Sequence, residues 1–250
     1  MTFDATVADG VLAVRRPSTR WLSTGWAGGY ERADAAYNVT VPEGWDRTDL
    51  DAYVAERRDS AGFESSGPSL LTGVEMRHAR GARLGPVRAF ATVGLSNPAA
   101  LPVERGAKDG DRGGAATTGV DDERATDESL DGERRIGTVN LVVGTTRTLD
   151  DGALATLLGV VVEAKAATLV ALSGFPGTTS DAAVVGSVPD GESETFAGSA
   201  TAVGAAARAC VRDAVRASFR SRYASRGVPR SVDDADHGVV TDQRADVFEP

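Results

Sequence analysis

The chain has 250 residues, a formal net charge of −9 at pH 7 and a hydrophobic fraction of 41%. That length suits one large domain or two small ones with a substantial core. The acidic surplus, without a basic stripe that carries interleaved aromatics, argues against nucleic acid as a partner.

Basic residues are almost all arginines, because only Lys108 and Lys165 among the 27 are lysines. This predicts a salt-adapted source such as a halophilic archaeon, since acidic side chains keep a protein soluble where salt screens their repulsion. The single cysteine, Cys210, excludes a disulfide framework and, at helical spacing among apolar residues, predicts a packed core thiol. His78 and His237 have no metal-ligand spacing, so no metal site is predicted.

Short apolar runs separated by turn residues predict a series of strands in the first half of the chain. A helix is expected over residues 48–60, where Thr48-Asp49-Leu50-Asp51 offers a cap. The strands are expected at residues 11–14, 21–24, 36–41, 69–74 and 87–95.

Residues 103–135 are dominated by Gly, Asp, Glu, Arg and Thr, with almost no aliphatic side chains. Such sequence cannot bury enough apolar area to fold, so we predict a solvated, mobile acidic insertion, with a substrate lid as the alternative. The sequence opens without a basic and apolar leader, which predicts a cytoplasmic protein. Residues 226–250 are predicted to form a polar C-terminal tail.

The second half mixes strands and helices. Asp150-Asp151 caps a predicted helix to about Ala167, and Thr168–Leu172 is predicted as a strand. Glu163 and Lys165 in the apolar run 153–172 argue against a membrane span and for a buried helix. Further strands are expected at 136–145 and 182–188, and a long helix near 201–223. We predict a single α+β (mixed α/β) domain with a mixed or antiparallel sheet and packed helices.

Three polar cassettes interrupt the apolar sequence between residues 136 and 185. They are Gly137-Thr138-Val139-Asn140, Glu163-Ala164-Lys165 and the loop Gly177-Thr178-Thr179-Ser180-Asp181-Ala182. Charges within apolar sequence are costly to bury unless they are paired or used. The functional site is therefore predicted in this region.

On a helix, Lys165 shares a stripe with Leu154, Leu157, Leu158 and Val161, whereas Glu163 lies on a face of small residues. The two charges project to opposite faces and cannot pair with each other. Two tertiary ion pairs that lock the helix are the structural alternative to a functional role. In the loop, an N-cap and a turn are likewise the alternative to a row of N–H donors.

Further short segments occur along the chain in a fixed order with the three cassettes. In order, the segments are Leu22-Ser23-Thr24 with Gly28-Gly29, Asn38, Leu71-Thr72, Ala91-Thr92-Val93-Gly94-Leu95-Ser96-Asn97, Gly137-Thr138-Val139-Asn140, Glu163-Ala164-Lys165, Ser180-Asp181-Ala182 and Ala197-Gly198-Ser199-Ala200-Thr201. Together, in this order and spacing, they resemble the adenosylcobinamide amidohydrolase family. In one departure, the chain has Gly177-Thr178-Thr179-Ser180 where the family usually shows a threonine-glycine-threonine run before the aspartate.

The resemblance implies an amidohydrolase domain over residues 1–225. Its substrate would be adenosylcobinamide, hydrolysed at the amide between the aminopropanol arm and the corrin ring to give adenosylcobyric acid for coenzyme B12 salvage. The corrinoid is then the substrate and no cofactor is implied. Its partners would be this small molecule, with no nucleic acid or membrane, and a homo-oligomer is left open.

Hydrolysis of an unactivated amide needs a nucleophile, a proton donor for the leaving amine and donors for the oxyanion. We assign Glu163 as general base or acid on water, and Asn140 with loop N–H groups as oxyanion donors. Lys165 and Asp181 would orient the others. Substrate contacts are expected at Ser23, Gly28, Gly29, Asn38, Asn97, Thr138, Thr178, Thr179, Ser180 and Thr201.

Other readings stay open. A covalent route through Thr138 or Thr178 is the rival mechanism, and Gly137-Thr138 is similar to self-cleaving hydrolases that expose an N-terminal threonine. A non-catalytic corrinoid-binding protein is the rival function. An unrelated domain, in which every cassette is a cap or an ion pair, is the third reading.

Overall fold

The computed structural model describes residues 2–103 and 137–250. Within them, strands fill the first half and two long helices lie in the second. The helices are α1 (Leu50–Ser60), α2 (Asp151–Ser173) and α3 (Ala202–Arg222). The strands are β1 (Asp4–Ala8), β2 (Val11–Ser23), β3 (Gly29–Thr40), β4 (Ser69–Thr72), β5 (Arg80–Leu84), β6 (Val87–Val93), β7 (Pro98–Ala100), β8 (Val139–Leu149), β9 (Gly177–Thr178), β10 (Ala182–Glu194) and β11 (Val239–Val240).

The main sheet is mixed, in the order β4-β3-β2-β10-β8-β6-β5, with β1 also paired to β2. The β8–β10 and β3–β4 pairs are parallel, and the other pairs of this sheet are antiparallel. A small second sheet has the order β11-β7-β9. The predicted α+β fold with a mixed sheet and packed helices is confirmed.

The main sheet folds over itself, so that β3 and β4 contact β8 although they are not its neighbours in the sheet. The register between β2 and β3 shifts between Arg15 and Thr19 of β2. The space between the two layers is filled by apolar side chains, with Phe3 against the edge of Trp21 at 5.7 Å. The helices cover the outer faces, α1 on one layer and α2 with α3 on the other.

Helix α2 is longer than the sequence pattern predicted. Asp150 accepts from the N–H of Ala153 at 2.7 Å, as predicted for the cap, and the helix continues to Ser173 before Gly174 at φ +82°. The predicted strand Thr168–Leu172 is wrong, because no helix breaker intervenes and Thr168 Oγ1 bonds the Ala164 carbonyl within the helix. β-Branched residues in a short apolar run gave a strand-like pattern that burial against the sheet overrides.

The apolar stripe of α2 faces the core as predicted, since Leu154, Leu157 and Val161 are buried there. By length and composition α2 is the helix of the described chain that could cross a membrane. In this fold its inner side packs against β10 and α3. That packing is expected of a core helix in a globular domain.

Two boundaries of the predicted organisation change. The predicted strands 11–14 and 21–24 are parts of β2, because the bulge near Arg16 and Pro17 lets one strand continue through polar residues. In the predicted polar tail, residues 239–240 form β11 and pair with β7. The predicted acidic insertion lies, apart from Val103, outside the described residues.

Deletion of residues 106–133 is expected to leave the fold intact. A segment this polar buries little apolar area, so the melting temperature should move by less than about 4 °C. Thermal unfolding of the full and the shortened chain, each in high salt, measures this shift. A much larger loss would show that the segment packs on the domain.

Cys210 is buried as predicted, and burial, together with the nearby Asp213 charge, raises the pKa of its thiol to about 11. No cluster of three metal-ligating residues occurs among residues 2–103 and 137–250. His78 Nδ1 instead lies 3.0 Å from Ser221 Oγ.

Stability should depend on pH through His78. Desolvation, followed by the charge of Arg222, lowers the pKa of His78 below its ordinary value of 6.5. The unfolded chain therefore binds the proton more tightly, and the free energy of unfolding should fall as pH drops from about 7 through 6.5. Urea unfolding at pH 7.5 and 5.5 should show a smaller decline for His78→Gln, and equal declines would contradict this assignment.

Candidate active site

Polar side chains converge at the end of the main sheet where β8 and β10 begin and β6 ends. The parallel pairing sets Ala182 opposite Asn140, and the antiparallel pairing sets Asn140 opposite Thr92. The loop between β9 and β10 meets the start of β8 and the middle of α2 here. We call this group the loop cluster, which consists of Asn97, Thr138, Lys165, Thr178, Thr179, Ser180 and Asp181.

Asp181 is the centre of the loop cluster. Its Oδ1 accepts from the Val139 N–H at 2.9 Å and from the Thr178 hydroxyl. Its Oδ2 accepts from the Thr178 N–H at 3.1 Å and forms an ion pair with Lys165 Nζ. The Lys165 and Asp181 side chains are only 12% and 11% exposed, so the pair is largely withdrawn from water. The carboxylate thus joins the loop, β8 and α2 through charge-assisted hydrogen bonds.

Gly177 is required here by close approach. A Cβ at this position would collide with Asp181 Oδ2 and lie 3.0 Å from Lys165 Nζ. The missing side chain therefore lets the ion pair pass directly over the backbone.

Asn97, at the turn between β6 and β7, holds the other side of the loop. Its Nδ2 donates to Thr179 Oγ1 at 2.6 Å and to Ser180 Oγ at 3.3 Å, and its carbonyl accepts from the Thr179 N–H at 3.1 Å. Ser180 Oγ also lies 3.0 Å from Thr138 Oγ1. Ser96 Oγ, which is not among the predicted site residues, accepts from the Gly137 N–H. Hydroxyls from three chain segments therefore meet at one place.

A second polar network closes the space between the sheet layers. Asn140 Nδ2 donates to Asn38 Oδ1 and to the Leu71 carbonyl, both at 2.9 Å, and Asn38 Nδ2 donates to Thr92 Oγ1 at 2.9 Å. Exchanging the Asn140 oxygen and nitrogen would set an oxygen against two acceptors, so these contacts determine its orientation. Both amide hydrogens of Asn140 are used, and the predicted oxyanion-donor role has no free donor in this arrangement.

Two amide oxygens near the site are buried and unused. Asn97 Oδ1 and Asn140 Oδ1 have no hydrogen-bond partner in the described parts of the chain. The two residues are 2% and 1% exposed. A buried acceptor without a donor is unfavourable, so each atom would gain a hydrogen bond from any water or ligand N–H or O–H group that reached it.

Glu163 lies apart from the loop cluster. Its side chain is 61% exposed and forms an ion pair with Arg208 of α3, whereas Lys165 turns inward to Asp181. The predicted projection to opposite faces is therefore confirmed, and both charges have tertiary partners. The general-base role of Glu163 stays a prediction. In the position described, Glu163 pairs with Arg208 and makes no hydrogen bond to the hydroxyls of the loop cluster.

The remaining predicted contacts fall in two places. Ser23 Oγ accepts from the Gly25 N–H at 3.0 Å. A Cβ at Gly28 would collide with the Ser23 carbonyl, so this tight turn needs glycine at that position. This turn, which includes Gly29, follows β2 beside the first residues of β10. Thr201 lies elsewhere: it caps α3 by accepting from the Gly204 N–H at 3.0 Å, after the distant end of β10.

A groove of about 650 Å³ lies between α2 and α3, away from the loop cluster. Five alanines contribute to its lining, with Arg208, Arg212 and Arg216 along α3. Its one α2 hydroxyl, Thr168, is already bonded to the helix backbone. Ser199 adds a second hydroxyl to the lining, but no carboxylate is among the residues that line the groove. The loop cluster, in contrast, brings a carboxylate, an ammonium group and hydroxyls together.

Comparisons with known proteins match nearly the whole of this chain. A family model described as adenosylcobinamide amidohydrolase matches residues 2–227. The chain belongs to this family. A curated protein named adenosylcobinamide amidohydrolase, from Halobacterium salinarum, is 54% identical over 250 residues, covering 99% of this chain and 100% of its own length. That relative comes from a halophilic archaeon, in keeping with the salt-adapted composition.

Proposed function

We propose that this protein hydrolyses adenosylcobinamide at the amide between the aminopropanol arm and the corrin ring, releasing adenosylcobyric acid for coenzyme B12 salvage. Membership of the family and the name of the Halobacterium salinarum relative support this activity. We propose the loop cluster as its active site. The observation that carries this placement is the withdrawn Asp181–Lys165 pair, with a hydroxyl bonded to the same carboxylate.

The acid–base groups form a chain of contacts from Thr178 through Asp181 to Lys165. The Thr178 hydroxyl donates its proton toward the Asp181 carboxylate, which in turn holds the Lys165 ammonium. In the proposed reaction this carboxylate takes up the proton of the attacking water, or of Thr178 in the covalent alternative. Lys165 stabilises the developing oxyanion and provides a proton for the departing amine. This gives Asp181 the base role that the sequence pattern assigned to Glu163.

Asn97 and Ser180 are proposed to bind the scissile amide. Asn97 Oδ1 has no donor in the described chain, and its Nδ2 is committed to Thr179 and Ser180. A secondary amide offers one N–H, which this oxygen can accept. Thr138 and the turn at Gly28 and Gly29 would then lie against the corrin side of the substrate.

The reaction is proposed to need no metal ion or other cofactor. Asp181 and Lys165 provide an acid and a base from the chain itself. Turnover should therefore persist after dialysis against a chelator, and its loss with recovery on adding a divalent cation would overturn this point. A cytoplasmic location stays a prediction.

The deciding experiment is incubation of the protein with adenosylcobinamide in high salt, followed by mass analysis of the corrinoid. The expected products are adenosylcobyric acid and free aminopropanol. Equilibrium binding of adenosylcobinamide without release of aminopropanol would instead support a non-catalytic corrinoid-binding protein. If the protein neither binds adenosylcobinamide nor releases aminopropanol, the proposal is overturned.

The active chain should remain unprocessed. Thr138 Oγ1 contacts Ser180, and the Thr138 carbonyl accepts from the Gly94 N–H at 3.1 Å, so Thr138 is bonded into the end of the sheet. Intact mass measurement of turning-over protein is expected to give the full chain. A break before Thr138 would replace the water mechanism with an N-terminal threonine nucleophile.

A further inference from the structure

The C-terminal segment 228–241 lies beyond residue 227, where the family match ends, yet it is paired to the domain. β11 runs parallel to β7, with Val239 opposite Ala99 and Val240 opposite Ala100. The His237 N–H donates to the Ser96 carbonyl at 3.1 Å, and the Thr241 N–H donates to the Ala100 carbonyl at 3.0 Å. Backbone bonds at both ends of β11 therefore attach the segment.

The segment also has internal order. Val228 is partly buried against the core cluster that includes residues of α2 and α3. The Asp234 carboxylate accepts from the N–H groups of Arg230 at 3.2 Å and Ser231 at 3.0 Å. A Cβ at Gly238 would lie 2.5 Å from Val232 Cγ1 and 3.1 Å from the Pro98 carbonyl. The chain thus folds back closely against the start of β7.

β7 connects this segment to the loop cluster. It is the middle strand of the small sheet, with β11 on one side and β9 on the other. Its antiparallel pairing with β9 sets Pro98 opposite Thr178 and Ala99 opposite Gly177. Directly before β7 comes Asn97, which binds Thr179 and Ser180.

Strand lengths explain why this support matters. β7 has three residues and β9 has two. A two-stranded ribbon of that length is marginal in water, and a third strand adds hydrogen bonds to the free edge of β7. Because Thr178 and Gly177 lie on β9, a shift of β7 moves the residues around Asp181.

We propose that the C-terminal segment 228–241 is a positioning element of the active site, which holds β7 and thereby the geometry of the loop cluster. The role in catalysis rests on the proposed function. The segment touches no reacting group; it acts through Asn97 and Thr178.

Two shortened chains provide the first test. Ending the chain after Arg226 removes the whole segment, whereas ending it after Arg244 removes only exposed residues and serves as the control. The first should lower kcat by about 10², since misplacement by about 1 Å costs that much, while the control keeps full turnover. Adding the peptide 227–250 should restore turnover as its concentration rises. The proposal is overturned if the two shortened chains have equal turnover. It is also overturned if the chain that ends after Arg226 is folded but the peptide does not restore its turnover.

A backbone variant provides a second test in the full chain. Thr241→Pro removes the N–H that bonds Ala100, and Thr241→Ala keeps it. Only the proline variant should lower kcat and speed hydrogen exchange of the Thr178 and Thr179 amides. Unchanged exchange in Thr241→Pro would overturn the positioning role. Hydrogen exchange needs no substrate, so it decides the positioning role whether or not the wild-type chain hydrolyses adenosylcobinamide. Failure of the wild-type chain to hydrolyse it would count against the proposed function alone.

Discussion

Asp181→Asn is expected to lower turnover of adenosylcobinamide by about 10²–10⁴, because it removes the proposed base. The Thr178 hydroxyl would face an amide of similar shape, and Lys165 would lose its counter-ion in a largely buried setting. Breaking such a pair also costs stability, by about 3–5 kcal/mol. Turnover should therefore be measured per folded molecule, at a temperature well below the melting transition of the variant.

Two matched variants separate chemistry from stability. Asp190→Asn removes a carboxylate that bonds the buried Arg16 at 2.7 and 2.8 Å, far along β10, and should leave turnover unchanged. Glu163→Gln breaks an exposed pair, so it should cost less than about 1 kcal/mol and also keep turnover. If turnover fell by about 10² or more in Glu163→Gln but stayed normal in Asp181→Asn, the base role would return to Glu163.

Gly177→Ala is expected to disturb the ion pair at the centre of the site. Its new methyl group would collide with Asp181 Oδ2 and crowd Lys165 Nζ, so the ion pair must move. Overpacking of this kind costs about 1–3 kcal/mol. Displacing the acid–base groups by about 1 Å should lower kcat by about 10².

Gly159→Ala is the control for this change. Gly159 lies within α2, and an added Cβ would meet nothing within 4 Å. Alanine there should raise the free energy of unfolding by about 0.5–1 kcal/mol through its helix propensity, with unchanged turnover. Thermal unfolding and steady-state kinetics on both variants measure the contrast. Normal kcat in Gly177→Ala would show that the close contact is not needed for catalysis.

Local pattern was sufficient for much of the fold. The stripe of Leu154, Leu157 and Val161 predicted the buried face of α2, and Asp150 predicted its start, because periodicity and capping depend on neighbours in sequence. The end of α2 was missed because the strand-like run 168–172 is stabilised as helix by packing, which local sequence does not contain. The same limit split β2 into two strands.

For the site, the sequence by itself determined which residue types are available: the cassettes around Asn140, Lys165 and Asp181, and the family to which the chain belongs. Their partners were decided only by the tertiary structure. The folded sheet brings Asn38 to Asn140, α3 supplies Arg208 to Glu163, and β7 brings Asn97 to the loop. These contacts join residues far apart in the chain, so their free energies depend on distances that exist only after the layers pack.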